Sequence, residues 1–449
     1  MRFDEIRAAL MARPMTGYQI GAVAIGVLVN MMDGFDLLAI SFAGPAIDRE
    51  WQLGAERLGV LFSAGLFAMA VGAFGLSWLA DVLGRRTATM INLASMTIGM
   101  TIAALASSFS MLLVARVFTG LGVGAMTAAI GSLVIEYASK PRREVALGFV
   151  TGAFPFGTIV GGIVATWLLE IGWRTVFGFG AVMTLLLIPL VWWRLPESLD
   201  FLLGKQPRDA LRRANRELER LGFAPLEALP PRTDVVDTKD ASLLDVVRPP
   251  VLASAVLACL GYFGFMTSQY FILNWMPSLM VDAGYTDAGA ISFSIITNIG
   301  AIFGCAIVGL FTARWGVRAV TVSMLIIMAA AIAAFGTLPL DAVQLIRTSS
   351  FFIGFAAFAT AVGIFSIMAA GYPAHVRGTG IGLALTSGRL GSAFGAYLGG
   401  LLLALGLTRS ELCVVLALPA VVAAAVVAVL ARRNAVDATA PVGEPVAAD

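Results

Sequence analysis

The sequence predicts an all-α membrane protein of about twelve transmembrane helices, arranged as two pseudo-symmetric six-helix halves. Three observations carry that expectation: composition, the spacing of the apolar runs, and an internal repeat. Of the 449 residues, 59% are hydrophobic and only 13% are charged, with a mean hydropathy of +0.89. A soluble domain carries about a quarter charged residues, so a water-exposed surface of ordinary size cannot be built from this chain. A net charge of +2 with no isolated basic block argues against a nucleic-acid partner. Cys259, Cys305 and Cys413 lie in apolar runs without metal-ligand spacing, so they read as small packing residues and no metal site is expected.

A hydrocarbon core about 30 Å thick needs roughly 20 apolar residues in a helix. Such runs fall near 18–43, 57–80, 88–106, 111–136, 144–169 and 173–194, then near 251–277, 288–311, 319–338, 343–369, 376–404 and 410–431. Leu58–Ala80, Val251–Val281 and Leu412–Ala431 contain no Asp, Glu, Lys or Arg at all. Nothing alternates over ten residues as barrel strands would. The organisation is therefore an amino-terminal segment (1–17), a first half (18–194), a polar central connection (195–250), a second half (251–431) and a tail (432–449). Before Tyr18 there is no apolar stretch of signal-peptide type, so the first long span is expected to direct insertion itself. Arg2, Arg7, Arg13, Arg85, Arg86, Lys140, Arg142 and Arg143 crowd the segments on one side, whereas Arg49, Arg57, Arg174 and Arg409 lie on the other. That bias places both termini in the cytoplasm of a bacterial inner-membrane protein. The central connection, with a surface helix near Asp209–Leu221, reads as a solvated tether.

The halves echo each other. Pro45 in span one corresponds to Pro277 in span seven, and Asp81–Arg86 (DVLGRR) to Ala313–Arg318 (ARWGVR), each 232 residues on. Arg116 corresponds to Arg347, 231 residues on, and each proline is expected to end its span. A duplicated six-span unit is the pattern of a carrier that holds its substrate between two halves near the midplane.

Charges inside spans are costly and point to function. Asp33 and Asp36 sit about two-thirds along the first apolar run, three residues apart and so on neighbouring positions of one helix face. Two carboxylates there repel, which favours a proton on one of them; buried acids satisfied by a basic partner are the alternative. Arg389 stands about 20 Å into span eleven, where its planar fork suits a substrate carboxylate or a structural acid. Gly120-Leu-Gly-Val-Gly124 lacks the strand and downstream acid of a nucleotide fingerprint and reads as close helix packing. With no Gly-Lys-Ser/Thr loop for ATP, no cofactor is expected and an ion gradient is the energy source. His375, the sole histidine, reads as a surface loop residue.

Several motifs carry a family resemblance. Asp33-Gly34-Phe35-Asp36 matches the D-G-x-D signature of the aromatic acid:proton symporter family within the major facilitator superfamily. The loop SWLADVLGRR is similar to the superfamily motif G-x-x-x-D-R-x-G-R-R, departing at Ser77 and Val82, and its mirror GLFTARWGVR has Ala313 where an acid is usual. Arg116 with Gly120, Gly122 and Gly124, Glu136, Pro196-Glu197-Ser198, Tyr372-Pro373 with Arg377, and Gly388-Arg389-Leu390-Gly391 resemble further family positions. The resemblance implies the major facilitator fold, with spans one and four face to face and Arg116 paired to Asp36. It implies proton coupling at Asp33 and Asp36, and substrate binding by Arg389, Asp33, Asp36 and Arg116. It also implies gating by Ser77, Asp81, Gly84, Arg85, Arg86, Glu136 and Arg377. Phe35, Phe265, Tyr270, Phe271 and Trp275 are in spans one and seven, which line the cavity in the resembled fold, and are expected to stack an aryl ring. The expected function is import of an organic, aromatic carboxylate with a proton by a monomeric, non-enzymatic carrier in the lipid bilayer. A proton-coupled exporter is the alternative. A membrane sensor or enzyme would need an attached domain, whereas only a short polar tail follows Arg433.

Overall fold

Glycine and short polar clusters punctuate the apolar runs, and most of the helices begin or end at those marks. The computed structural model describes residues 13–76, 78–139, 142–230, 246, 248, 251–373 and 376–439. Ser77, Lys140, His375, Arg2 and Arg7, and most of the tail, lie outside the described residues. Among these residues the long helices are Gly17–Trp51, Gly54–Gly75, Arg85–Ala104, Phe109–Tyr137, Arg143–Ile171 and Trp173–Arg194 (spans one to six). Spans seven to twelve are Leu252–Asp282, Asp287–Trp315, Val317–Thr337, Val343–Gly371, Arg377–Ala404 and Arg409–Thr439. Eleven of them are long and apolar enough to cross a membrane. Span eleven has the length, at 28 residues, but its glycines and Arg389 lower its hydropathy. Thr16, Ser108 and Thr286 cap spans one, four and eight, each accepting from the backbone N–H three residues on.

The expectation that Pro45 and Pro277 end their spans is corrected. Both sit inside buried helix, which continues to Trp51 and Asp282. Proline leaves the carbonyl four residues earlier without its helical donor. At Pro277 that carbonyl is Leu273, and the Ser41 hydroxyl of the other half donates to it at 3.2 Å and to the Asn274 carbonyl at 2.5 Å. A serine re-satisfies backbone that lipid could not. The prolines therefore mark where the two halves cross.

Two faces result. The connection face carries the start of span one, the loop before Arg85, the end of span four at Tyr137 and the central connection. The opposite face carries Trp51, Trp173, Asp287 and Arg409. The halves meet in the part of the bundle toward the opposite face. There Arg49 pairs with Asp287 at 3.0 and 2.5 Å, and Phe62 meets Trp275 edge-on at 5.1 Å. Gly59 and Gly400 bring spans two and eleven into backbone contact, and Gly162 of span five lies against Ile295 of span eight.

The central connection is no free tether over its described part. Helices Leu199–Gly204 and Ala210–Arg220 dock on the first half, with Leu202, Leu203, Ala214 and Leu218 fully buried. Ala210, Ala214 and Leu218 recur at four-residue spacing and so share one helix face, which explains the docking. Glu217 accepts from Tyr18 at 2.6 Å, and Arg220 donates to the same hydroxyl at 3.1 Å.

Candidate substrate and proton site

The four residues Asp33-Gly34-Phe35-Asp36 point at four different neighbours. Asp33 is 3% exposed and lines a cavity between the halves. Gly34 lies against the backbone of span five: a Cβ there would come 2.2 Å from the Phe154 carbonyl oxygen. Thr158 of that span donates to the Gly34 carbonyl at 3.1 Å. Phe35 fills a slot left by Gly161 and Gly180 and meets Phe179 edge-on at 5.6 Å. Asp36 turns to span four, where Arg116 Nη1 stands 3.6 Å from its Oδ1 and 3.5 Å from its backbone carbonyl. The glycine is thus required for spans one and five to touch, and that contact sets the helix rotation that separates the two acids.

The structure brings Arg116 and Asp36 together with both side chains almost wholly buried. Room for the guanidinium comes from Gly65 of span two, where a Cβ would lie 2.7 Å from Nη2. Gly120 and Gly124 press on the span-two carbonyls of Gly65 and Met69, and Gly122 on span three at Asn92. Those glycines serve the close helix packing expected of them.

The cavity measures about 360 Å³ and lies between the midplane and the connection face. Asp33 and Arg389 line it from opposite halves, joined by Asn30, Thr151, Tyr262, Gln269 and Tyr270, with Phe154 and Phe358 as aromatic walls. Arg389 Nη1 approaches the Met69 sulfur at 3.1 Å and forms no ion pair among the described residues. Asp33 Oδ1 has no hydrogen-bond partner among the described residues. A planar cation facing a carboxylate across a small cavity can hold an organic anion and a proton at neighbouring positions.

One sequence expectation changes here. Of the five aromatic residues expected around the substrate, only Tyr270 lines the cavity. Phe265 is buried beside Tyr262, Phe271 and Trp275 pack the sealed part, with Trp275 Nε1 donating to the Ala396 carbonyl at 2.8 Å, and Phe35 sits in its glycine slot. Phe154, Phe358 and Tyr262 take their place. Phe154 and Phe358 were missed because the stretches of spans five and ten around them carry no charge to draw attention, and Tyr262 because it sits in the uncharged run of span seven. Asn30 and Gln269 were missed as well, although amides inside apolar runs are a signal in their own right.

On the connection face Arg85 lies 3.3 Å from Asp81 and 3.6 Å from Glu136. Gly84, at φ +95°, makes the turn that a side chain would resist. Arg86 stacks on Trp192 at 5.4 Å and donates to the Trp192 carbonyl. The Arg86 backbone N–H donates to Glu197 at 3.2 Å, which also meets Arg213 at 3.4 Å. Arg377 stays apart, exposed and donating to the Tyr372 carbonyl at 3.4 Å. Of the expected gating residues, the structure thus gathers Asp81, Gly84, Arg85, Arg86 and Glu136 and leaves Arg377 outside.

Among the described residues, twelve long helices packed in two matched halves around a shared cavity define a multi-pass membrane carrier. The Major Facilitator Superfamily signature matches residues 23–396, and the chain belongs to that superfamily: it is a membrane transporter and not an enzyme. It is 29% identical over 427 residues to the gallate transporter of Pseudomonas putida, covering 94% of both chains. It is 27% identical to the 4-hydroxybenzoate transporter PcaK of Pseudomonas aeruginosa, over 94% of this chain and 95% of that one. Among solved structures, the inward open form of the xylose transporter XylE from E. coli superposes with a TM-score of 0.71 at 17% identity, covering 91% and 95% of the two chains. That likeness is one of fold.

Proposed function

We propose that this carrier imports an aromatic carboxylate together with a proton across the bacterial inner membrane. The observation that carries the reading is Arg389, a cation without an ion-pair partner among the described residues, facing Asp33 across one cavity. The relatives named above are transporters of aromatic acids, which supports the ring. An anion entering a low-dielectric cavity exchanges its hydration for fixed donors, and a guanidinium supplies two in parallel. One anion moved with one proton carries no net charge, so the pH gradient alone can drive it. The basic residues on the connection face support a cytoplasmic placement of that face and of both termini. The cavity then faces inward, behind an outer seal formed by Arg49–Asp287 and the proline crossing. The carrier acts as a monomer in this reading, with Asp81, Arg85 and Glu136 closing the inner side in the opposite state.

Uptake of labelled benzoate and hydroxybenzoates into proteoliposomes, with and without a protonophore, tests import and coupling together. Amides and methyl esters of the same acids should not compete. Arg389→Lys keeps the charge but loses the fork, and should weaken binding about tenfold or more, on the order of 1.4 kcal/mol. Equal competition by the ester, or normal binding by Arg389→Lys, would remove the anchor.

A further inference from the structure

A second concavity lies on the lipid-facing side of the bundle, apart from the substrate cavity. Span two packs against both span four and span eleven, and where the three meet a groove of about 630 Å³ opens. Val60, Ala64, Phe67 and Val71 of span two form its floor. Leu113, Val117 and Leu121 of span four make one wall, and Ala393 and Tyr397 of span eleven the other. None of the residues that line it is charged. Its hydroxyl groups are those of Ser63 and Tyr397, and Ser63 already donates to the Val60 carbonyl at 3.0 Å. A water there would lack the two to four polar partners that hold a buried water, roughly three on average. The groove therefore takes an apolar occupant, and it is open from the side, with Phe67 and Val71 both exposed.

Length and charge select the occupant. Val60 and Val71 lie about 17 Å apart along the helix, close to the hydrocarbon depth of one leaflet, about 15 Å. Span two begins at Gly54 on the opposite face, so the groove crosses the leaflet on that side. Arg57 precedes Val60 by one helical turn on the same helix face, about 5 Å nearer the membrane surface. It is exposed and forms no ion pair among the described residues. A free cation at headgroup depth above an apolar groove one leaflet long matches a phospholipid, whose phosphate a guanidinium holds well. A helix from a second copy of the chain fits less well. The floor belongs to the first half and the Ala393–Tyr397 wall to the second, so the groove changes shape as the halves move. A flexible acyl chain follows that change, whereas a rigid helix would resist it.

We propose that this groove is a phospholipid site, with the lipid phosphate on Arg57 and one acyl chain laid along Val60–Val71. The site stands whatever substrate the carrier moves. Native mass spectrometry of the full-length protein, stripped of lipid in mild detergent, tests it. The protein is given either dioleoyl phosphatidylglycerol or dioleoylglycerol, which has the same chains without the phosphate. The wild type should retain one phospholipid per protein, and the diacylglycerol about fivefold more weakly or worse. Arg57→Gln should bring the phospholipid down to the diacylglycerol level, and Arg57→Lys should restore it. Ala64→Phe, which fills the groove from its floor, should lower retention of both lipids, and Val117→Phe should do the same from the facing wall. Equal retention of the two lipids by the wild type, or retention of neither, overturns the proposal. So does a dimer that takes up no lipid. Phospholipid retention undiminished in Arg57→Gln, or in both groove-filling variants, puts the lipid elsewhere and overturns the site. The two lipids on the wild type can overturn it even if a variant fails to fold.

Discussion

Asp33 and Asp36 are one helical turn apart, yet the fold gives them different work. Asp36 is locked against Arg116 in a pair whose two side chains are 1% and 3% exposed, whereas Asp33 faces the cavity and Arg389. Removing one member of a buried pair leaves the other charge uncompensated, at a cost of roughly 3–5 kcal/mol. Asp36→Asn should therefore lower the thermal unfolding midpoint in detergent, and the double variant Asp36→Asn/Arg116→Gln should recover much of the loss. Asp33→Asn should unfold like the wild type while losing uphill accumulation. An Asp36→Asn protein as stable as the wild type would show that the pair holds nothing together.

Among elements, the connection between the halves is the one whose character differs most from expectation. Glu197 joins the start of span three, through the Arg86 backbone N–H, to the docked helix Ala210–Arg220 through Arg213. Burial holds its carboxyl above the usual carboxylate range, opposed by the N–H groups of Arg86 and Ser198 and by Arg213. A carboxyl raised on folding contributes stability below its unfolded value, and that contribution is lost as pH rises through the folded value. At neutral pH Glu197→Gln, which keeps an oxygen acceptor without the buried charge, should be neutral or stabilising. Glu197→Ala leaves helix N–H groups unmet and should cost about 1 kcal/mol. Thermal unfolding of both variants at pH 7 separates the two; a Gln variant as damaged as the Ala variant would mean that the charge itself holds the contact.

At the scale of the whole molecule, the halves touch toward the opposite face and part toward the connection face, so opening the cavity on the opposite face must break the contacts there. Arg49–Asp287 is an ion pair across that seam, with side chains 54% and 27% exposed. Exposed pairs are worth about 1 kcal/mol or less, weak enough to open in each cycle. In a protein with Cys259, Cys305 and Cys413 replaced by alanine, a cysteine at Ser41 reports whether the proline crossing is open. Arg49→Ala should speed its labelling by an external, membrane-impermeant thiol reagent several-fold, because the population shifts toward the outward-facing state. Unchanged labelling would show that the pair does not hold this face shut.

The twelve spans, their duplication and the acids of span one were legible because burial in lipid writes itself into composition: long uncharged runs with a few conspicuous charges. The Arg116–Asp36 pair was legible too, given the family resemblance. The repeat misled where symmetry is broken. The partner of Arg116 by repeat, Arg347, is exposed, and the position matching Asp33 is Phe265, packed in the core. Asp33, Asp36 and Arg116 thus come from the first half and Arg389 from the second. What tertiary structure alone decided is which neutral residues face the cavity. A helix in a bundle is buried on most sides, so periodicity cannot tell the side facing another helix from the side facing a small void. Phe154, Phe358, Asn30 and Gln269 were placed by helix rotation, and that rotation depends on backbone contacts at glycines such as Gly34 and Gly65. Those contacts join residues far apart in the chain, and no local pattern records them.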